Sequence, residues 1–588
     1  MKFIVPRLAV VLVLLCYVLS AMARSAEQTT TAFNVLLDDI WQYKLSVQPI
    51  SATGYGVHDY DAQLADMSPL GLAAQDQQYR VFLSRLSQLD SRELNRNAQI
   101  TLQIQQYHLQ NDIDQYAYHA HYMPLTSESG FHSELAFLPA SMRFKTLEDY
   151  QHYLQRLTQF PRYFTEQIYW MKQGMSAGIV QPKAVLMGFE ESIKAFIKAS
   201  PQESHFYEPF RQLGDNRFTT EEKQALQQHA AEVIERQVFP AYQQFYDFFV
   251  NEYLPNSKSD IAAQSWPDGR AYYQNRSNYY TTTNMPVDDI HQLGLSEVKR
   301  IRSEMQKVLD DLDYQGDINQ FIAYLRTAPQ FYAKTPNELL KQASFIAKKM
   351  DAHLPQLFNF LPRIPYGVEP VPESIAPKYT TGRYIAPTRD DQPGYFWVNT
   401  YALDKRPLYA LTALTLHEAV PGHHLQISLA AEMQDLPNIR RYGYLSAFGE
   451  GWGLYAEFLG KEVGMYGDPY DEFGRLSYEM WRACRLVVDT GMHVKGWSRQ
   501  QAIDYMLENT ALSEHNVKTE IDRYISWPAQ ALSYKIGELS IKKLRFKAQD
   551  KLGERFDVRA FHDAVLAYGS IPLSVLETNI EDFIASQL

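Results

Sequence analysis

The stretch His417-Glu418-Ala419-Val420-Pro421-Gly422-His423-His424 places three of the chain's 16 histidines within eight residues, with a carboxylate beside the first of them. Apolar residues recur at helical intervals around it, over 408–434 and again over 446–463, so the stretch reads as part of a helical body. The usual way to aim two histidines at one ion is to set them at i and i+4 on a helix. Here position 421 is Pro, and the next histidines stand at i+6 and i+7. On a regular helix i+7 returns to the same face but about 10.5 Å further along, and i+6 faces elsewhere. Pro421 removes a backbone donor and crowds the turn before it, while Gly422 tolerates dihedrals that other residues avoid. Together they predict a bulge of two residues that lets His423 take the place of an i+4 ligand, with His424 as the alternative.

A third ligand has to come from a separate helix. Gly449-Glu450-Gly451-Trp452-Gly453-Leu454-Tyr455-Ala456-Glu457 offers two carboxylates seven residues apart on one face. Glu450 sits among glycines that permit close approach to the motif helix and is the candidate ligand. Glu457 is the candidate support for a ligand histidine. The only cysteines are Cys16 and Cys484, so a cysteine-zinc site is excluded and a transition metal must be held by His and carboxylate. A set of His417, His423 and Glu450 favours Zn2+. Glu418, next to the first ligand, points into such a site without binding the metal. It is placed to take a proton from an attacking water and pass it to a leaving amine.

Helical periodicity extends outward to 33–41, 96–118, 147–174, 221–253, 285–312, 319–326, 336–360, 470–494, 498–509 and 531–550, with Pro240 predicting a kink or break in the fourth of these. The best strand signal is Gly394-Tyr395-Phe396-Trp397-Val398-Asn399-Thr400. It reads as a small β element beside the motif helix, either an edge strand that pairs with an extended peptide or a plain ornament. The stretch 361–393, rich in Pro, Gly and Thr, predicts a long irregular connection. At 588 residues the chain exceeds one compact core, and a boundary near 270 separates an N-terminal helical region, 24–270, from the motif-bearing region, 271–588.

Residues 1–23 read as a signal peptide: Lys2 and Arg7, an apolar core from Leu8 to Leu19, then Ala21-Met22-Ala23 as a cleavage site. The apolar run falls short of the roughly 20 residues that span a bilayer, so an exported, periplasmic or secreted protein with no stable membrane insertion is expected. Cys16 lacks the preceding small residue that lipidation requires. After cleavage Cys484 is alone, and stability must come from packing. The net charge of -12 and the absence of any basic run exclude a nucleic-acid partner.

The motifs at 417–426, 449–457 and 489–493, with Pro528-Ala529-Gln530-Ala531 and Tyr534-Lys535-Ile536-Gly537 after them, resemble the large bacterial domain-of-unknown-function family 885 over most of the mature chain. That family is in turn distantly similar to the thermostable carboxypeptidases and the angiotensin-converting-enzyme-like peptidases. The resemblance implies a mainly α, zincin-like helical body with a central cleft, a Zn2+ cofactor, a peptide substrate and metallopeptidase activity. Their Gly-His pair matches Gly422-His423, and their ligand Glu matches Glu450 after Phe448. The departure is the two-residue insertion. A Tyr and a His from a late helix stabilise the oxyanion in those enzymes, which makes Tyr534 the first candidate here and Tyr524 and His493 the next. Arg523 and Lys535, with Arg482 and Arg485, are the candidate anchors for a substrate carboxylate. A metal-dependent hydrolase of a non-peptide amide or ester, and a degenerate peptide-binding protein, are the competing expectations.

Overall fold

The computed structural model describes residues 6–213, 217–373, 375–387 and 392–588. Helices carry most of the chain, and one small sheet interrupts them. The leader expected over 1–23 lies partly outside the described residues, which leave out 1–5; its remainder falls in the first helix, Pro6–Val47. Among the described residues, no helix is long and apolar enough to cross a membrane.

Seven helices build the site: α1 (Val287–Asp311), α2 (Leu411–Glu418), α3 (His423–Glu432), α4 (Ser446–Glu462), α5 (Pro469–Val494), α6 (Glu514–Ser526) and α7 (Ser533–Leu552). The central one is α5. Asp468 caps it by accepting from the Tyr470 N–H, and Pro469 occupies the first turn, where a missing N–H costs nothing. Every residue from Phe473 to His493 is buried. A helix buried all round is normally apolar, yet this one carries Arg475, Glu479, Arg482, Arg485, Asp489 and His493. Each of these must find a partner inside the protein, and those partners order the surroundings of the site. Helices α4 and α7 cross closely enough that a Cβ on Gly537 would stand 1.9 Å from the Ala447 carbonyl oxygen, so glycine sets their separation.

In the N-terminal region, the pattern over 221–253 resolves into Thr220–Val233, a π-helical turn Ile234–Val238, and Phe239–Phe248. The wider turn lets Pro240 enter at the start of a new helical segment, so the axis continues where a break was expected.

The sheet holds β1 (Tyr366–Pro370), β2 (Gly382–Ile385) and β3 (Gly394–Val398) in the order β1-β3-β2. β1 runs parallel to β3 and β2 antiparallel, with Tyr384 opposite Phe396. The strand expected from sequence is therefore the central one, and its edges are taken. The edge beside the motif helix is β2, inside the stretch read as irregular.

Asp489 and His493 stand four residues apart on α5, but Asp489 takes its partners from other segments. Its Oδ1 accepts from the Tyr273 hydroxyl at 2.5 Å and the Ala529 N–H at 3.1 Å, while Oδ2 is buried without a partner. Burial lifts this carboxyl to about 7, against the pull of both hydrogen bonds and of Arg523 and Arg485. The sign is that of a raised acid: the folded state holds the proton longer than the unfolded chain, so this site loses stability as pH rises from about 4 to 7. Asp489→Asn keeps the acceptor and removes the charge. It should raise the unfolding free energy by on the order of 1–3 kcal/mol at pH 8 and hardly at all at pH 4, measured by urea unfolding at both values.

Candidate metal centre

Helix α2 ends at Glu418 and α3 begins at His423, so Ala419–Gly422 interrupt the helix where a two-residue bulge was expected. The path turns sharply at Ala419 (ψ -114°) and Gly422 (ψ -128°), and the His424 N–H donates to the Ala419 carbonyl at 3.1 Å. Gly422 lies directly on the end of α2: a Cβ there would stand 1.9 Å from the His417 carbonyl oxygen. This contact folds α3 back on α2 and brings the His417 and His423 rings to 4.8 Å, perpendicular at 89°.

Glu450, from α4, completes the group. Its Oε2 lies 3.5 Å from His417 Nε2 and 3.3 Å from His423 Nε2, and one ligand atom from each of the three residues falls within 4.8 Å of the others. Zinc ligands at about 2.0–2.1 Å in a tetrahedron stand roughly 3.4 Å apart, so these separations and this donor set fit a zinc ion. His417 Nδ1 bonds Glu457 Oε1 at 2.8 Å, and Arg482 holds the same oxygen at 3.2 Å. Burial by itself favours a neutral His417, but its hydrogen bonds to Glu450 and Glu457 raise it to about 9. Glu450 is likewise pulled well below the usual carboxylate range: burial opposes its charge, and His423 and His417 outweigh burial.

His424 points the other way. It bonds the Tyr384 hydroxyl at 3.0 Å and Ser428 at 3.3 Å, and it packs 4.5 Å from the Tyr366 ring. Burial lowers its pKa to about 4. It joins α3 to the sheet and stays outside the His417–His423–Glu450 group.

Glu418 Oε2 accepts the Tyr384 backbone N–H at 2.7 Å. Tyr384 lies on the β2 edge, so the sheet anchors one carboxylate oxygen beside the cluster. Tyr534 stacks at 20° and 6.5 Å from the His417 ring, and the Arg485 guanidinium lies 4.1 Å from the centroid of the Tyr534 ring. Arg485 is held by the Tyr524 hydroxyl at 2.7 Å and by Glu520 at 3.0 Å.

The remaining sequence candidates separate by their partners. Tyr524 is buried behind Arg485 and also accepts from Trp481 Nε1 at 2.9 Å, so it positions Arg485 and offers no surface to substrate. His493 is spent on backbone: Nδ1 accepts from the Ala263 N–H at 3.1 Å, and Nε2 donates to the Tyr524 carbonyl at 3.0 Å. Lys535 is fully buried among Glu479 at 2.9 Å, Glu538 at 2.6 Å and Glu297 at 3.2 Å. It has no donor left for an incoming carboxylate and belongs to the α1–α5–α7 ion network. Arg523 bonds Glu520 at 3.2 Å and also Gln530, and it lies within electrostatic reach of Tyr534 and Glu128.

Two residues of the site carried no sequence signal. Tyr444, from the loop before α4, sets its hydroxyl over Gly449 and in hydrogen-bonding reach of Glu450. Tyr384 contributes its backbone N–H, which no side-chain pattern reveals.

No curated protein matches the chain. Among solved structures it is similar to a protein from Colwellia psychrerythraea provisionally classed as a lipoprotein, at 30% identity and a TM-score of 0.87, over 96% of this chain and 100% of that one. A provisionally classed lipoprotein of unknown function from Shewanella oneidensis shares the fold at 19% identity and a TM-score of 0.70, over 94% and 99% of the two chains. The family described as bacterial protein of unknown function, DUF885, matches residues 49–580, and the chain belongs to that family.

Proposed function

We propose that the chain is an exported zinc-dependent metallopeptidase. The observation that carries this reading is the convergence of His417 Nε2, His423 Nε2 and Glu450 Oε2 in a buried site, beside a second carboxylate, Glu418, anchored by a strand edge. His417, His423 and Glu450 would hold the ion, and bound there it supplies Lewis acidity at neutral pH. The rest of the chemistry falls to the chain. Glu457 and Arg482 lock the His417 tautomer and ring. Glu418, with one oxygen fixed by Tyr384, uses the other to orient a water, takes its proton and returns it to the leaving amine. Tyr534, stacked beside His417 with Arg485 against its ring, donates toward the developing oxyanion. The β2 edge beside Glu418 favours an extended peptide, which adds to a sheet edge through main-chain hydrogen bonds. The leader over 1–23 and two neighbours classed as lipoproteins support export.

Metal content of the purified mature chain tests the reading. About one zinc per chain is expected, falling close to zero in Glu450→Ala, together with cleavage of members of a peptide panel by the unmodified protein. A chain that carries no zinc, or that turns over amides or esters but no peptide, sinks it.

A further inference from the structure

Beside the metal cluster, charge does not balance. Arg523 on α6 and Arg485 on α5 share one carboxylate oxygen, Glu520 Oε2, at 3.2 and 3.0 Å. A third guanidinium, that of Arg383, comes from β2. Arg383 immediately precedes Tyr384, whose N–H holds Glu418, and strand alternation sends the two side chains to opposite faces. Tyr384 turns inward to His424. Arg383 is exposed, opposite Trp397 in the strand register. Its guanidinium lies 5.4 Å from the centroid of the Tyr379 ring, in hydrogen-bonding reach of that hydroxyl, and in the electrostatic field of Arg523 and Tyr534. Among the described residues it enters no ion pair. One more carboxylate stands in this field. Glu128 is exposed in the turn between Leu125 and Gly130, which is tied to α6 by the Ser127 N–H on Ser526 Oγ at 3.0 Å. The surrounding walls push its carboxyl above the usual range; Arg523, Arg383 and Arg485 pull against that shift, but among the described residues none of them pairs with it. Three guanidiniums thus face two carboxylates, and the unpaired guanidinium is the exposed one.

Arg383 and Arg523 stand in each other's field, which costs energy in the empty protein, and an anion between them turns that repulsion into attraction. A guanidinium offers five N–H donors in a fork that matches a carboxylate. Tyr379 can take one, which leaves the fork available. Arg523 is buried and already bonds Glu520 and Gln530, so it adds charge from behind while Arg383 is free to make contact. The anions of an unmodified peptide are all carboxylates. We propose that Arg383, backed by Arg523, forms an anion subsite beside Glu418 that grips a carboxylate of the bound peptide, from its C-terminus or from an acidic side chain. This rests on the peptidase reading for the identity of the ligand as a peptide.

Binding is read by calorimetry on the full mature Glu418→Gln protein loaded with zinc, so that no probe is consumed. The probes are acetylated alanine pentapeptides. One ends in a free carboxylate and its partner in an N-methylamide; further N-methylamides carry a single Glu or Gln at each position in turn. For a terminal carboxylate, the free acid should bind about 10–100-fold more tightly than the N-methylamide. For a side chain, one Glu peptide should lead its Gln partner by a similar factor. Arg383→Gln should bring that ratio close to one with zinc content unchanged, and Arg383→Lys should keep part of it. Equal affinities throughout overturn the proposal. So does a ratio that survives Arg383→Gln, which would put the carboxylate on the metal or another group. Should Arg383→Gln not fold, Glu128→Gln removes the competing carboxylate and should raise the ratio about two- to fivefold; an unchanged or lower ratio then overturns it. The two readings fail separately. A carboxylate preference in a protein whose unmodified form cleaves no peptide keeps the subsite and removes the peptidase. Cleavage of peptides whose carboxylates make no difference does the reverse.

Discussion

Glu418→Gln is expected to lower peptide hydrolysis by about 10²–10⁴-fold while leaving zinc content and thermal stability unchanged. The separation of the two effects follows from geometry. Glu418 is next to His417 in sequence but does not belong to the group of ligand atoms formed by His417, His423 and Glu450. Its Oε2 is committed to the Tyr384 N–H at 2.7 Å. Glutamine keeps a carbonyl oxygen for that bond, so the end of α2 and the β2 edge stay joined. What glutamine lacks is a second oxygen that can accept a proton. Metal analysis and a melting curve on the same preparation, beside the kinetic assay, make the comparison. A loss of zinc with the loss of activity would instead make Glu418 a ligand, and unchanged activity would remove it from the chemistry.

Gly422→Ala is expected to be strongly damaging, costing on the order of 3–5 kcal/mol and weakening zinc affinity by at least about 100-fold. An added Cβ would meet the His417 carbonyl oxygen at 1.9 Å and the Leu416 carbonyl oxygen at 2.5 Å. Both are backbone atoms of a buried helix end, so relief must come from moving α3 away from α2. That motion carries His423 out of reach of Glu450. Gly467→Ala is the control, because nothing lies within 4 Å of a Cβ there. Unfolding free energies and zinc titrations of both variants decide the matter. A Gly422→Ala protein as stable and as tightly zinc-binding as the control would show that the sharp turn is not what places His423.

The helices were legible because their signal is local: an apolar face at helical spacing appears in sequence wherever a helix packs on a core, and α5, α4 and α7 fall close to their predicted ranges. β1 and β2 were not legible. Their pairing depends on β3, which stands between them in space but after both in sequence. Glu450 could be chosen from its glycine neighbours, since close approach demands small residues. Tyr444 could not be told from the other tyrosines among 40.

The sequence by itself determined a mainly helical protein and nominated His417, His423, Glu418, Glu450 and Glu457, because residue type, spacing and the Pro-Gly interruption constrain which side chains can meet. Only the tertiary structure decided between His423 and His424, which differ by one helical step. One faces Glu450 and the other faces the sheet. It alone removed His493, Tyr524 and Lys535 from the substrate side, since a histidine, a tyrosine or a lysine has the same chemistry in a cleft or a core and only its partners distinguish the two. The physical reason is common to these cases. Direction and partnership of a buried polar side chain are set by contacts between segments far apart in the chain, and no local pattern encodes them.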